Sequence, residues 1–226
     1  SQMKLDIASG KYSGWDDPRL PTLRALRRRG YDAEAMRKFW IDLGLTQKDI
    51  SVPMATLNSL NSKAVDADAP RMSFVRSPQT IHLNTSGVEM PEIVTLPIHP
   101  EHPDKGVRTW PLECDHLVVH IASEDFSTDK CRLKDFADVK LNQNGEGDVL
   151  QIQRLDNIPI IQWLPENIAH PAVLLLEEDG DLISAKGLIE TNDYPDGTIV
   201  QLERMGFAIL EGTDENGAIR LVRLHA

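Results

Sequence analysis

Apolar residues follow two different rhythms along this chain. Through residue 66 they recur at three- and four-residue spacing, the period of helices that bury one face. Leu23 and Leu26 share a face behind Thr22, which can cap a helix N-terminus, and Gly30 can end that helix in a left-handed conformation. Pro18 and Pro21 forbid a continuous helix before Thr22, because proline lacks an N–H and disfavours helical geometry in its predecessor. Asp32 is the expected cap of the next helix, whose stripe is Ala35, Met36, Phe39, Trp40 and Leu43 and whose stop is Gly44. Phe39 and Trp40 are read as core. Thr46 can cap a short turn in LTQKDI, and Pro53 starts a further helix with Met54, Leu57, Leu60 and Ala64 along one side. Ahead of these, Met3, Leu5 and Ile7 make neither a clear helix nor a clear strand.

Between Asp66 and Arg71 the rhythm changes. Short runs rich in β-branched residues follow: MSFV, TIHL, EIVTLPI, HLVVHI, DVKLN, VLQIQRL, AVLLL, TIVQLER, FAILEG and AIRLVRL. Turn signals separate them, among them Thr85-Ser86-Gly87, Asn144 to Asp148, Glu178 to Asp181 and Asp196-Gly197. Asp214-Glu215-Asn216-Gly217 is a hairpin signal between the last two runs. Many short strands without alternating helices mean antiparallel barrels or sandwiches. The pattern divides the chain into a helical unit over 1–66 and a β-rich region over 67–226.

Charge follows the same division. The chain carries a net charge of -11, yet residues 1–63 hold 11 Lys and Arg against 7 Asp and Glu, and the remainder holds 13 against 28. An acidic total argues against indiscriminate binding of polyanions, but a local basic patch can still meet one. The densest patch is the run of Arg24, Arg27, Arg28 and Arg29 on the helix that Thr22 begins. Two readings stand side by side: a solvated basic face, or the footprint of a phosphate-bearing partner. Hydrophobic content of 41% and charged content of 26% are ordinary for a soluble globular protein. No apolar run approaches the ~20 residues that span a membrane, and the first residues lack the apolar core of a secretory signal. Two cysteines, Cys114 and Cys131, make no disulfide framework and suit a reducing cytosol.

Several chemistries find no support. There is no Walker loop, no dinucleotide fingerprint and no HIGH-type motif; His99-Pro-Glu-His102 is the nearest string to the last. His99, His102, Cys114 and His116 come closest to a metal site, and nitrogen and sulfur ligands suit zinc. The two prolines in HPEHP and the Cys-x-His spacing speak against it, and no metal is expected.

The stretch GWDDPRLPT followed by LRRRG resembles the segment just after the catalytic domain in the glutaminyl and archaeal-type glutamyl-tRNA synthetase family, which are class I aminoacyl-tRNA synthetases. The resemblance continues in order through ADAPR into MSFV, LPIHPEHPDKGVRTWPL, EDFSTDKCRLKDFADVKLN, IQWLP and VQLERMGFAILE. It is weakest around Asn142–Asp156 and Glu177–Ala185. It implies an α+β, mostly β fold: a small helical subdomain after the catalytic domain, then two antiparallel anticodon-binding barrels, proximal and distal, that exchange strands. It implies a C-terminal fragment that lacks the catalytic Rossmann domain and is inactive alone. The helical segment is closer to archaeal glutamyl enzymes than to bacterial glutaminyl ones, which remain the rival within the class.

The site residues come from the same resemblance. Arg71, Arg132, Gln201 and Arg204 stand at positions where the family contacts anticodon nucleotides. Arginine suits that task, since its planar fork bonds base edges and stacks on rings. Asp129 replaces the glutamine of glutaminyl enzymes before the second arginine, and a carboxylate only accepts hydrogen bonds. Arg24, Arg27, Arg28 and Arg29 would meet tRNA phosphates, which position an RNA without reading it; Asp16 and Asp17 could instead pair with them. Trp15 would pack the helical unit onto the catalytic domain. The implied partners are tRNA-Glu, tRNA-Gln as a second candidate, and the missing catalytic domain, in a cytoplasmic monomer without membrane contact. ATP and Mg belong to the full-length ligase and no cofactor to this part. A free-standing RNA-binding barrel and an acidic scaffold protein are the rivals from other classes.

Overall fold

The computed structural model describes residues 2–44, 51–113, 117–127, 129–155 and 157–225. Four helices come first: α1 (Gln2–Ala8), α2 (Leu23–Arg29), α3 (Ala33–Leu43) and α4 (Met54–Val65). The caps fall where the sequence puts them. Thr22 Oγ1 accepts from Ala25 N at 3.1 Å, Asp32 Oδ1 accepts from Ala35 N at 2.8 Å, and Gly30 closes α2 at φ 87°. The turn expected in LTQKDI lies outside the described residues. The helix α1 has no apolar stripe and buries no residue; an exposed bond from Gln2 Nε2 to Asp6 Oδ1 at 2.8 Å supports it instead.

Leu26, Tyr31, Phe39 and Leu57 make the helical core. Trp40, expected there, is 63% exposed, and Leu23 is 70% exposed. Consecutive helical residues point about 100° apart, so once Ala35 and Phe39 face inward Trp40 turns away; its ring meets Phe39 edge-on at 5.4 Å. Trp15 is also exposed. Asn61, fully buried, joins the helices to each other and to the β region. Its Oδ1 accepts from Asp32 N at 2.8 Å, and its Nδ2 lies 3.1 Å from His225 Nε2.

The strands are β1 (Arg71–Met72), β2 (Phe74–Arg76), β3 (Pro78–Asn84), β4 (Ile93–Pro97), β5 (Val107–Pro111), β6 (Leu117–Ala122), β7 (Lys130–Leu133), β8 (Asp138–Leu141), β9 (Glu146–Gln151), β10 (Ile160–Ile161), β11 (Trp163–Pro165), β12 (Ala169–Glu178), β13 (Asp181–Glu190), β14 (Ile199–Leu202), β15 (Gly206–Thr213) and β16 (Ile219–His225). One sheet runs β1-β14-β15-β16-β12-β13-β2 and a second runs β10-β7-β8-β9-β3-β6-β11, with β4 and β5 as a separate hairpin. The chain therefore enters the first sheet, builds the second, and returns to complete the first.

Each sheet is barrel-like for the same reason. Its two outermost strands are neighbours in sequence: β1 and β2 flank Ser73, and β10 and β11 flank Gln162. A sheet whose edges meet at one residue has to curl. At the first seam the Glu190 carboxylate accepts from Ser73 N at 2.6 Å, and Gly187 lies so close to β2 that a Cβ there would stand 2.5 Å from Val75 O. Among the described residues four ladders are parallel, β1 with β14, β7 with β10, β3 with β9 and β12 with β16, where the sequence suggested antiparallel pairing alone. Those ladders join strands that are distant in sequence, so no hairpin signal announces them. The second barrel packs around Trp163, which stacks on Phe136 at 4.8 Å and meets Trp110 edge-on at 5.3 Å. The first is filled by Met72, Leu174, Ile189, Leu202 and Leu221, among others.

Candidate nucleic-acid interface

Where the β1/β14 side of the first barrel faces the β7/β10 side of the second, a cleft of about 990 Å³ opens, with the β4–β5 hairpin contributing Thr95 to Pro97 and Arg108. Arg71, Arg132, Gln201 and Arg204 all line it. Register explains the first half of this: Arg71 is paired with Gln201 across β1 and β14, and Arg132 lies opposite Ile160 across β7 and β10. Arg204 follows in the turn after β14, at φ 67°, and Asp135 occupies the turn after β7 at φ 57°. Non-glycine residues seldom adopt such angles, and they gather at sites that the surrounding structure over-determines.

The four side chains differ in freedom. Arg132 is held on three sides: Nη1 donates to Asp138 Oδ1 at 2.8 Å, and Nη2 to Phe136 O and Ile152 O. Arg71 donates to Asp66 Oδ1 at 2.9 Å and to Ala69 O at 3.0 Å. Among the described residues Arg204 makes one ion pair, with Asp125 at 2.6 Å, and its side chain is 52% exposed. The Gln201 side chain has no hydrogen-bond partner among the described residues. Asp129 is exposed and lies outside the cleft lining.

Two cleft cations were not singled out from the sequence, Arg108 and Lys134. Lys134 Nζ lies 2.5 Å from Glu203 Oε1, and Gln162 Nε2 donates to Glu203 Oε2 at 2.6 Å, so Glu203 ties the two barrels together. Arg108 lies 3.2 Å from Glu190 and 3.8 Å from Glu203, and donates to Arg71 O. Burial pushes the Glu190 carboxyl up; the Arg108 charge and the N–H donors of Ser73 and Trp110 pull against it. The lining holds five cations and two carboxylates, Asp135 and Glu203, in a protein whose net charge is -11. Each of the five cations also lies within ion-pair distance of a carboxylate, Asp66, Asp138, Asp125, Glu190 or Glu203, so an anion entering the cleft competes with those partners.

Two domain models of one enzyme group match parts of this chain. The model for class I (E and Q) tRNA synthetases, anti-codon binding domain, matches residues 69–155, and the catalytic-domain model of the same group matches residues 1–67. Glutamate–tRNA ligases align along nearly the whole chain. That of Archaeoglobus fulgidus is 38% identical over 95% of this chain, that of Methanosarcina acetivorans 36% over 97%, and that of Pyrococcus furiosus 33% over 98%. The chain belongs to the class I glutamyl and glutaminyl tRNA synthetase family. It spans 38%, 38% and 40% of the lengths of those three relatives. The β4–β5, β7 and β1 walls of the cleft lie inside the anticodon-binding match.

The helical arginines divide in two. Arg24 and Arg27 are exposed and make no ion pair among the described residues. Arg28 forks onto Glu211, Nε at 2.8 Å and Nη2 at 3.2 Å, with Asp16 at 3.8 Å. Arg29 donates to Pro18 O at 3.3 Å and to Leu224 O, and sits over the Tyr31 ring; burial lowers its pKa. Asp17 pairs with Arg19. Its burial opposes ionisation, but the Arg19 guanidinium and the N–H groups of Ser13 and Arg19 outweigh that and hold the carboxyl well below the usual range. His99 is fully buried, its Nε2 3.0 Å from Asp66 O and its Nδ1 accepting from Glu101 N, so both ring nitrogens have protein partners. Cys114 and His116 lie outside the described residues. No helix among the described residues is long and apolar enough to cross a membrane.

Proposed function

We propose that this chain is the tRNA-binding and anticodon-selecting part of an enzyme that joins glutamate to tRNA with ATP, through a glutamyl-adenylate. The relatives reported above are named for glutamate, and tRNA-Glu is accordingly the proposed partner, with tRNA-Gln as the second. The observation that carries the reading is the cleft, where Arg71, Arg132, Gln201 and Arg204 come together from both barrels. Unstacked bases are read by hydrogen bonds and stacking. In this reading Gln201 and Arg204 meet bases directly, Arg71 and Arg132 shape the walls, and Arg24 and Arg27 meet backbone phosphates. ATP and Mg serve the full-length enzyme in this reading, and the exposed Trp15 packs against its catalytic domain in the cytoplasm. The division at 66 and 67 separates a helical connector from the anticodon-binding region.

Filter binding of the chain to transcripts of tRNA-Glu, tRNA-Gln and one unrelated tRNA, at two salt concentrations, tests this. Selective retention of tRNA-Glu is the expected result. Equal, weak and salt-sensitive binding of all three would remove base selection from the cleft.

A further inference from the structure

A second basic niche lies where the helical unit meets the first barrel. It has a volume of about 160 Å³ and shares no residue with the interbarrel cleft. Arg29, Asn58, Glu177, Arg223 and His225 line it. This is below the ~300 Å³ at which pockets for drug-sized ligands begin.

Its donors are in excess of its acceptors. Arg223 on β16 has a buried Nε with no hydrogen-bond partner, and its guanidinium makes no ion pair among the described residues. Two carboxylates stand nearby, Glu177 attracting Arg29 and Glu178 attracting Arg223, but neither makes an ion pair with Arg223 among the described residues. Glu178 forks onto Arg76 at 2.6 and 3.2 Å, and Glu177 accepts from Gly180 N at 2.7 Å. Arg29 adds a second guanidinium, and the two repel each other. Tyr31 OH donates to Asn58 Oδ1 at 2.5 Å, and the Asn58 amide N–H groups have no protein acceptor among the described residues. The His225 ring nitrogens face Asn61 and Ser62, at 3.1 and 3.4 Å. Glu177 is exposed at the rim and is the one carboxylate of the lining that opposes an anion. A half-buried guanidinium without an acceptor, beside a second guanidinium, is unfavourable unless an anion completes it.

We propose that this niche takes a single phosphate group, and that in the complex this is a backbone phosphodiester of the bound tRNA. The assignment of the source rests on the tRNA reading above. Arg223 supplies the fork, Asn58 a neutral donor and Arg29 the field. The contact positions the RNA and is blind to its sequence. It also lies next to α2, whose Arg24 and Arg27 are exposed, so one strand of backbone could meet both.

The test measures tRNA-Glu transcript binding across a salt series for the wild-type chain, Arg223→Ala and Arg223→Lys, with melting temperatures for each. Arg223→Ala should lower the salt slope by about one. It should weaken binding several-fold, equally for transcripts with intact and substituted anticodons. Arg223→Lys should recover most of the slope, since it keeps the charge but gives up the fork. Melting should not fall for Arg223→Ala, because an unmatched charge has been removed. Unchanged affinity and slope, while the wild type binds, would overturn the niche. A lower melting temperature with unchanged RNA binding would instead make Arg223 a structural residue. If the wild type binds no tRNA, the tRNA reading fails first and the RNA source with it. If inorganic phosphate at matched ionic strength raises melting of the wild type but not of Arg223→Ala, and tRNA binding is unaffected, the site is one for free phosphate and the RNA assignment is overturned.

Discussion

Arg132 and Arg204 line one cleft and are held in opposite ways. Arg132 is locked to Asp138, a fully buried carboxylate that also accepts from Leu155 N at 2.6 Å. Removing the arginine strands that charge in the interior, so Arg132→Ala should cost about 3–5 kcal/mol of stability, read from urea unfolding. Arg204 is half exposed and, among the described residues, bound to Asp125 alone, and Arg204→Ala should cost under about 1 kcal/mol while weakening tRNA binding. A stability loss for Arg204→Ala as large as that for Arg132→Ala would contradict the difference drawn between them. Asp17 gives a pH-dependent case. Its folded pKa is depressed below the ordinary carboxylate value of about 3.9. The stability it lends is therefore fully present above that value and is lost as the pH falls through the folded one. Asp17→Asn should flatten the acid side of the melting-temperature profile below about pH 4, with its slope near neutrality unchanged. An acid limb as steep as the wild type's would assign that loss to other carboxylates.

At the level of elements, α2 presents one face to the barrel and another to solvent. Arg28 and Arg29 dock it onto Glu211 and Leu224 O, leaving Arg24 and Arg27 outside. The double substitution Arg24→Ala with Arg27→Ala should reduce the salt slope of tRNA binding by about two and leave melting within a degree or so. An unchanged slope would take α2 out of the interface. The bounds of α2 were readable in the sequence because caps are local: Thr22, Gly30 and Asp32 each act within a few residues of themselves. The strand β13 was not, because Ser184 to Gly187 dilute its alternation, although it pairs with β12 over ten positions. Trp40 was misplaced because one helical stripe cannot hold both it and Phe39. The candidate arginines were legible only through family resemblance, since an arginine in a short strand carries no local mark of what it faces. Arg108 and Lys134 gave no signal at all, as their place depends on Glu190 and Glu203, far along the chain.

For the whole molecule, two barrels that each close at a single residue leave an arginine-lined cleft between them, bridged by Glu203 from one barrel to Lys134 and Gln162 of the other. The acidic total disfavours polyanions over most of the surface, and in the cleft an RNA has to draw the arginines away from the carboxylates that hold them. The central claim is that this cleft reads anticodon bases. It is tested most directly by a thermodynamic cycle: binding of the wild-type chain and Arg204→Ala to tRNA-Glu transcripts with the native and with a substituted anticodon. Arg204→Ala should weaken binding of the native transcript at least tenfold and barely affect the substituted one. An equal loss on both transcripts would contradict it, reducing Arg204 to a phosphate contact and the cleft to a surface that holds RNA without reading it.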